Sequence, residues 1–238
     1  MRDLSQRSDE VELMDSAETD FETFRDCLRD LARVNVMTLG YRPTLAFLER
    51  LRRQGRLDLG RPVTIVDAGS GYGDLLRKVE RWGARRRVAV RLIGVDLNPW
   101  SARAAQEATP AESAIGWVTG DAFDRTDEAD IVVCALFTHH LDDERLVRFL
   151  QLIESKTRLG WFINDLHRHP VPYAVFGPLA AAMRWHRFVR HDGPLSIARA
   201  FVPADWRALI EAAGVNLDEV DISWRFPFRL CVGRIKPA

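Results

Sequence analysis

The sequence predicts an α/β fold: a seven-stranded, mostly parallel sheet with an antiparallel last strand and helices on both faces. An N-terminal helical cap and a helical lid inserted after the fifth strand complete the expectation. Three observations carry it. Val63-Thr-Ile-Val66 is a short apolar run that passes through Asp67 into glycines at 69, 71 and 73, as a buried strand does on entering a tight turn. Leu75, Leu76 and Val79 then recur at helical spacing, so the turn opens a helix. Ile131-Val-Val-Cys-Ala135 is a continuous apolar run, the pattern of a parallel strand covered on both faces.

The elements follow in order. Residues 1–18 are polar and acidic and are expected to be flexible. A cap over 19–54 begins with Phe21, Phe24, Leu28 and Leu31 at helical spacing. A second helix follows Pro43 with Leu45, Leu48 and Leu51. The bend between them carries Tyr41 and Arg42, expected to point inward at a ligand. Gln54 to Pro62 reads as a linker, and the main domain spans 60–238.

Past the glycine turn, a helix runs to about residue 82, with Gly83 and the Arg85-Arg-Arg87 cluster at its end; such a run is a solvated helix end. Val88 to Asp96 is the second strand and Ile115 to Phe123 the third. The fourth ends in Phe137, Thr138, His139 and His140, and a helix over 144–152 follows. Leu159 to Asp165 is the fifth, running into Asn164-Asp-Leu-His-Arg-His-Pro170. The insertion over 170–201 is apolar and aromatic; it is expected to cover an acceptor pocket through Tyr173 and Trp185, with Arg190 to Ser196 as its closing turn. A helix begins at Pro203 and stops before Gly214, and Asn216–Trp224 with Phe228–Ile235 alternate as a closing hairpin.

Composition narrows the function. Lys+Arg and Asp+Glu balance at 34 each, so no global charge draws nucleic acid or an anionic membrane. Cys27, Cys134 and Cys231 are far apart, lack metal-ligand spacing and sit in apolar contexts, which predicts buried free thiols in a reducing cytoplasm. The N-terminus has no signal-peptide core, and no run reaches the ~18 apolar residues of a membrane span. A cytoplasmic protein, monomer or homodimer, is expected.

The turn itself suggests a ligand. Its glycines let a backbone approach closely, and a helix N-terminus offers free N–H groups. A dinucleotide fingerprint needs glycine where this chain has Asp74, and an acid there repels pyrophosphate. Asp67 and Asp74 together suit a ligand with an ammonium group. Val66-Asp-Ala-Gly-Ser-Gly-Tyr-Gly73 resembles the first motif of the class I (Rossmann-like) S-adenosylmethionine-dependent methyltransferases. Asp96-Leu-Asn-Pro99, Gly120-Asp-Ala122, His139-His-Leu-Asp-Asp-Glu144 and the Phe201–Gly214 helix resemble later motifs, so the resemblance spans about 60–235.

The resemblance implies S-adenosylmethionine as cofactor, held by Asp67, Gly69, Ser70, Gly71, Leu97 and Phe137. Asp96 would grip the ribose, and Asp121 with Ala122 would meet the adenine. His139 or His140 is the expected base, with His167 or His169 behind, and His167 is also expected to contact the acceptor; a phenol near pKa ~10 needs a base. A metal is not expected, because neither histidine pair has the i, i+4 spacing of a zinc motif and the fourth strand tip lacks acids.

Alanine-Leu-Phe-Thr at 135–138 replaces the Asn/Asp-Pro-Pro-Tyr of amino-methylating enzymes. With the neutral charge and the aromatic insertion, this points to a small apolar phenol. The pattern is similar to quinone-pathway and phenolic-polyketide methyltransferases, which implies O-methylation in secondary metabolism. A carbon methyltransferase, a nucleotide-dependent oxidoreductase and a non-catalytic binding module are the alternatives.

Overall fold

The computed structural model describes residues 3–15, 20–124 and 129–237. Seven strands form one sheet in the order β3-β2-β1-β4-β5-β7-β6. They are β1 (Val63–Ala68), β2 (Val90–Asp96), β3 (Gly116–Thr119), β4 (Ile131–Ala135), β5 (Gly160–Leu166), β6 (Asp221–Arg225) and β7 (Arg229–Ile235). The first five pair in parallel, and β7 runs antiparallel to both β5 and β6. The order reverses between β1 and β4. In an open α/β sheet that is where a crevice opens at the carboxyl ends of the strands.

Alternation along the central strands sorts the two faces. Val63 and Ile65 of β1, with Ile131 and Val133 of β4, pack beneath α2 (Arg42–Arg53) and α3 (Asp74–Arg86) through Phe47, Leu48, Leu51, Leu76 and Val79. Val66, Ala68, Val132 and Cys134 face α5 (Asp143–Lys156) and α8 (Pro203–Ala212), where Phe149, Leu150, Trp206 and Ile210 are buried. The period of two in a strand sends neighbours to opposite faces, so these runs read as continuously apolar.

Helix ends follow local chemistry. Asp20 caps α1 (Phe21–Met37) by accepting from Thr23 N–H, and Asn98 caps α4 (Pro99–Glu107) by accepting from Trp100 N–H. Asp205 accepts from Val202 N–H at 2.9 Å at the start of α8. Gly83 lies inside α3, which continues to Arg86 rather than stopping near 82; a Cβ there would sit 3.0 Å from the Val88 carbonyl. The glycine serves close packing, not termination. β6 begins only at Asp221, because Leu217–Glu219 forms a 3₁₀ turn in place of the expected strand start.

The N-terminal segment departs from expectation. Residues 3–15 lie along the body of the domain instead of hanging free, while 1–2 and 16–18 of that segment fall outside the described residues. Arg7 donates to the carbonyls of Arg199 and Leu141, each at 2.8 Å, and stacks 4.1 Å over the Phe201 ring. Leu13 and Met14 N–H groups donate to the two oxygens of Asp192 at 2.9 and 3.0 Å. The partners are 134 to 192 residues away in sequence, so composition alone reads the segment as loose.

The 170–201 insertion forms two helices, α6 (Pro170–Ala182) and α7 (Arg187–Arg199). Arg190 to Ser196, expected as a turn, lies within α7 despite Gly193 and Pro194; Gly193 gives the Phe176 ring its place, since a Cβ would come within 1.9 Å of it. Trp185, Phe188 and Val189 pack on Cys27 and Val34 of α1. All three cysteines are buried and unpaired. No helix among the described residues is long and apolar enough to cross a membrane.

At the start of β4, Asp130 accepts from Thr64 N–H at 2.8 Å, forks onto Arg61 with two contacts of 2.8 Å, and meets Arg158 Nε at 2.8 Å. Burial works against its charge, but Arg61, the Thr64 N–H and Arg158 hold the carboxyl below the usual range. Asp130→Ala leaves a strand N–H unpaired and is expected to cost about 1–3 kcal/mol in urea denaturation near neutral pH. Because the folded-state pKa is lowered, this contribution is present above the unfolded value and lost as pH falls. The gap between wild type and variant should therefore close below about pH 4.

Candidate active site

A cleft of about 730 Å³ opens at the carboxyl ends of β1, β2 and β4. Its floor is the turn between β1 and α3. Gly69, Gly71 and Gly73 all have positive φ, and the N–H groups of Gly69 and Ser70 both donate to the Val95 carbonyl at 2.9 and 3.0 Å. A Cβ on Gly69 would stand 2.5 Å from the Phe137 ring, and one on Gly73 would stand 2.2 Å from the Trp117 ring. No side chain fits at either place, so the backbone itself becomes the wall.

Three carboxylates surround this turn. Asp67 is buried at the end of β1, and its Oδ1 has no hydrogen-bond partner among the described residues. Burial, then Asp74 and Asp96, push its carboxyl well above the usual range. Asp96 is raised by burial too, although the N–H groups of Gly71 and Asn98, the Ser101 hydroxyl and His140 oppose the rise. It accepts from Gly71 N–H at 2.8 Å and Asn98 N–H at 2.9 Å, which fixes its plane at the tip of β2. Asp74, first in α3, accepts from the Tyr41 hydroxyl at 2.6 Å.

The expected cofactor residues gather here. Gly69, Ser70, Gly71, Asp96, Leu97, Asp121, Ala122 and Phe137 line the cleft, and Asp67 lies directly beneath it in β1. The roof is Met14 with Phe24, Leu28, Leu31 and Asn35 of α1. Only one helix of the expected cap does this; α2 is buried on the far face of the sheet.

The histidines separate into two pairs. Thr138–His140 is a 3₁₀ turn after β4 that brings the His139 and His140 rings 4.3 Å apart. His140 lines the cleft. His139 is buried and does not; its Nδ1 is 2.7 Å from Asp165 Oδ1 and its Nε2 is 3.6 Å from Glu12 Oε1. Burial opposes charge on Asp165, but His139, the Thr138 hydroxyl and the Leu166 N–H keep its carboxyl well below the usual range. An ionised Asp165 can only accept, so His139 carries its hydrogen on Nδ1.

His167 and His169 pair elsewhere, with ring centres 5.5 Å apart. His169 stacks on Phe228 and caps α6 by accepting from Val171 N–H at 3.2 Å. Burial, His169 and Arg168 push the His167 pKa down.

The expected acceptor contacts are not brought to the cleft wall. Tyr41 stands behind Asp74, where burial and that carboxylate push its phenol up. Arg42 is exposed at the start of α2, and His167 and Tyr173 are half-buried away from the wall. Trp185 is buried in the seam with α1, because a large ring beside Phe176 gains more from that core than from an open cleft. Sequence reasoning missed Glu12, Met14, Asn35 and Arg145. Glu12 sits in an acidic stretch that carries no periodic signal, and its nearness to His139 is a product of folding alone.

Gly69→Ala is expected to lower unfolding free energy by about 2–4 kcal/mol, the sum of a left-handed alanine and a displaced Phe137 ring. Chemical denaturation measures it. An unchanged midpoint would mean that the turn has slack.

Comparison with known proteins came to the same element. Residues 65–160 match the family model described as a methyltransferase domain. A protein named O-methyltransferase 12 from Dictyostelium discoideum is 24% identical over 163 residues, which is 67% of this chain and 41% of that protein. The chain thus spans less than half the length of that curated relative. Among solved structures, magnesium protoporphyrin IX methyltransferase from Synechocystis PCC 6803 with bound SAH superposes with a TM-score of 0.57 at 15% identity, covering 93% of this chain and 90% of that one. Human N-acetylserotonin methyltransferase in complex with SAM gives 0.59 at 16% identity, covering 89% and 55%. Residues 65–160 therefore match a methyltransferase-domain model, and the seven-stranded sheet built around them has the class I methyltransferase fold.

Proposed function

We propose that the chain is an S-adenosylmethionine-dependent methyltransferase acting on a small, apolar acceptor, with a phenolic hydroxyl as the group methylated. The observation that carries the cofactor is the acidic ring of Asp67, Asp74 and Asp96 around a glycine turn, with one buried Asp67 oxygen left unpartnered. Such a ring opposes a pyrophosphate and favours a ligand bearing an ammonium and a sulfonium. The glycine turn leaves room for the amino acid end, Asp96 for the ribose hydroxyls, and Ala122 with Phe137 for an apolar face of the base. These residues fit the group.

When bound, S-adenosylmethionine supplies a methyl carbon on a positively charged sulfur that leaves as a neutral thioether. The chain's part is alignment and exclusion of water. Phe24, Leu28 and Leu31 of α1 roof the cleft with apolar surface. His140 stands on its wall, where a ring nitrogen can receive the proton of a hydroxyl acceptor. The apolar roof and the absence of a global charge favour a neutral, hydrophobic acceptor over a phosphorylated or polymeric one.

Calorimetric titration with S-adenosylmethionine, S-adenosylhomocysteine and NADH tests the reading. The first two should bind in the micromolar range, and Asp96→Ala should weaken them at least about tenfold, or ~1.4 kcal/mol. Binding of NADH alone would overturn it, and cofactor binding without turnover on any phenol would reduce the protein to a binding module.

Asp67→Asn separates ligand from fold. Removing a buried, unpartnered carboxyl whose ionisation is opposed should leave the melting temperature unchanged or raised, while affinity for S-adenosylhomocysteine falls. In the wild type that affinity should rise with pH as the raised carboxyls of Asp67 and Asp96 ionise. A pH-independent affinity would disconnect the acids from the ligand.

A further inference from the structure

We propose that Glu12, His139 and His140 form a binding site for one divalent transition-metal ion, buried except where His140 borders the cleft. Their ligand atoms all lie within 4.8 Å of one another, and no other group of His, Cys, Asp and Glu among the described residues meets that spacing. His139 Nε2 is 3.6 Å from Glu12 Oε1, and His140 Nε2 is 4.0 Å from Glu12 Oε2. Both separations are wider than a hydrogen bond, so the three ligand atoms cluster without closing on one another. Zinc ligands at ~2.0–2.2 Å in a tetrahedral arrangement lie roughly 3.3–3.6 Å apart, so the observed spacing needs little adjustment.

The surroundings are built for it. Two imidazoles and one carboxylate are the donor set of open transition-metal sites, which keep positions for an exogenous oxygen. Asp165 stands behind His139 as the carboxylate that fixes tautomer and ring orientation. The Ser196 hydroxyl, 2.8 Å from Glu12 Oε1, orients the third ligand. Asp192 holds Leu13 and Met14, and Arg7 ties the segment further back, so Glu12 is delivered by a braced stretch of chain. Since His140 also borders the cleft, the ion would meet an acceptor oxygen there and acidify its proton. That catalytic consequence rests on the proposed methyl transfer and makes His140 a ligand rather than the base; the binding itself does not depend on it.

The test is titration of chelator-stripped full chain with Co²⁺, read by visible absorption, followed by Zn²⁺ loading and metal analysis. One equivalent per chain is expected. Glu12→Gln and His140→Asn should each weaken Co²⁺ binding by more than tenfold, and Asp165→Asn by about 10–100-fold through the lost outer carboxylate. His167→Asn, in the other histidine pair, should bind as wild type. Circular dichroism checks folding; if Glu12→Gln unfolds, the half-exposed His140→Asn decides. Wild type without a bound ion, or variants that bind equally well, would overturn the site. Calorimetry with S-adenosylhomocysteine on the same preparations keeps the two readings apart. Ligand binding without metal would overturn this inference alone, and metal binding without ligand would overturn only the proposed function.

Discussion

The turn between β1 and α3 has no space for side chains, and much of the molecule is arranged around that limit. Phe137 presses on Gly69 and Trp117 on Gly73, so the fourth and third strands reach their places only because the turn is bare backbone. Asp96 ties the second strand to the same turn through the Gly71 N–H. One steric constraint thus sets the floor of the cleft and the position of the residues that border it.

That floor carries a cost in charge. Asp67 is buried without a partner for one oxygen, next to two more carboxylates, a placement that opposes ionisation. Buried unpaired carboxylates destabilise a fold unless something compensates. Asp130, at the opposite end of β4, shows the alternative: equally buried, it is surrounded by Arg61, Arg158 and a strand N–H and is held in its charged form. The two acids thus differ in what surrounds them: the first has one oxygen left without a partner at the cleft, and the second is held by structural contacts.

A second constraint reaches the site from the chain ends. The segment over 3–15 is fastened by Arg7, Arg168 and Asp192 to elements late in the sequence, and α6 with α7 braces α1 above the cleft. The insertion acts on the cleft through α1 rather than by lining it. Its outer face leaves Val171, Val175, Leu179 and Met183 exposed, so its ordering comes from the inner seam around Trp185.

Local pattern determined the strands and the glycine turn, because apolar runs, glycine spacing and helix caps act over a few residues. Asp96, Asp121 and Phe137, placed by resemblance, line the same cleft as Gly69. Where patterns were short of signal, boundaries moved, as in α3 past Gly83, α7 through Pro194 and the late start of β6. The residues expected to meet an acceptor do not line the cleft. Tyr41 is held by Asp74 and Trp185 by the seam with α1, contacts that depend on tertiary packing rather than on local pattern. His139 and His140 are adjacent in sequence, yet Asp165 and Glu12 claim one while the cleft takes the other. Glu12 joins them across 127 residues. Only the folded chain brings together groups so far apart, because side-chain chemistry at such a distance leaves no period for a sequence to display.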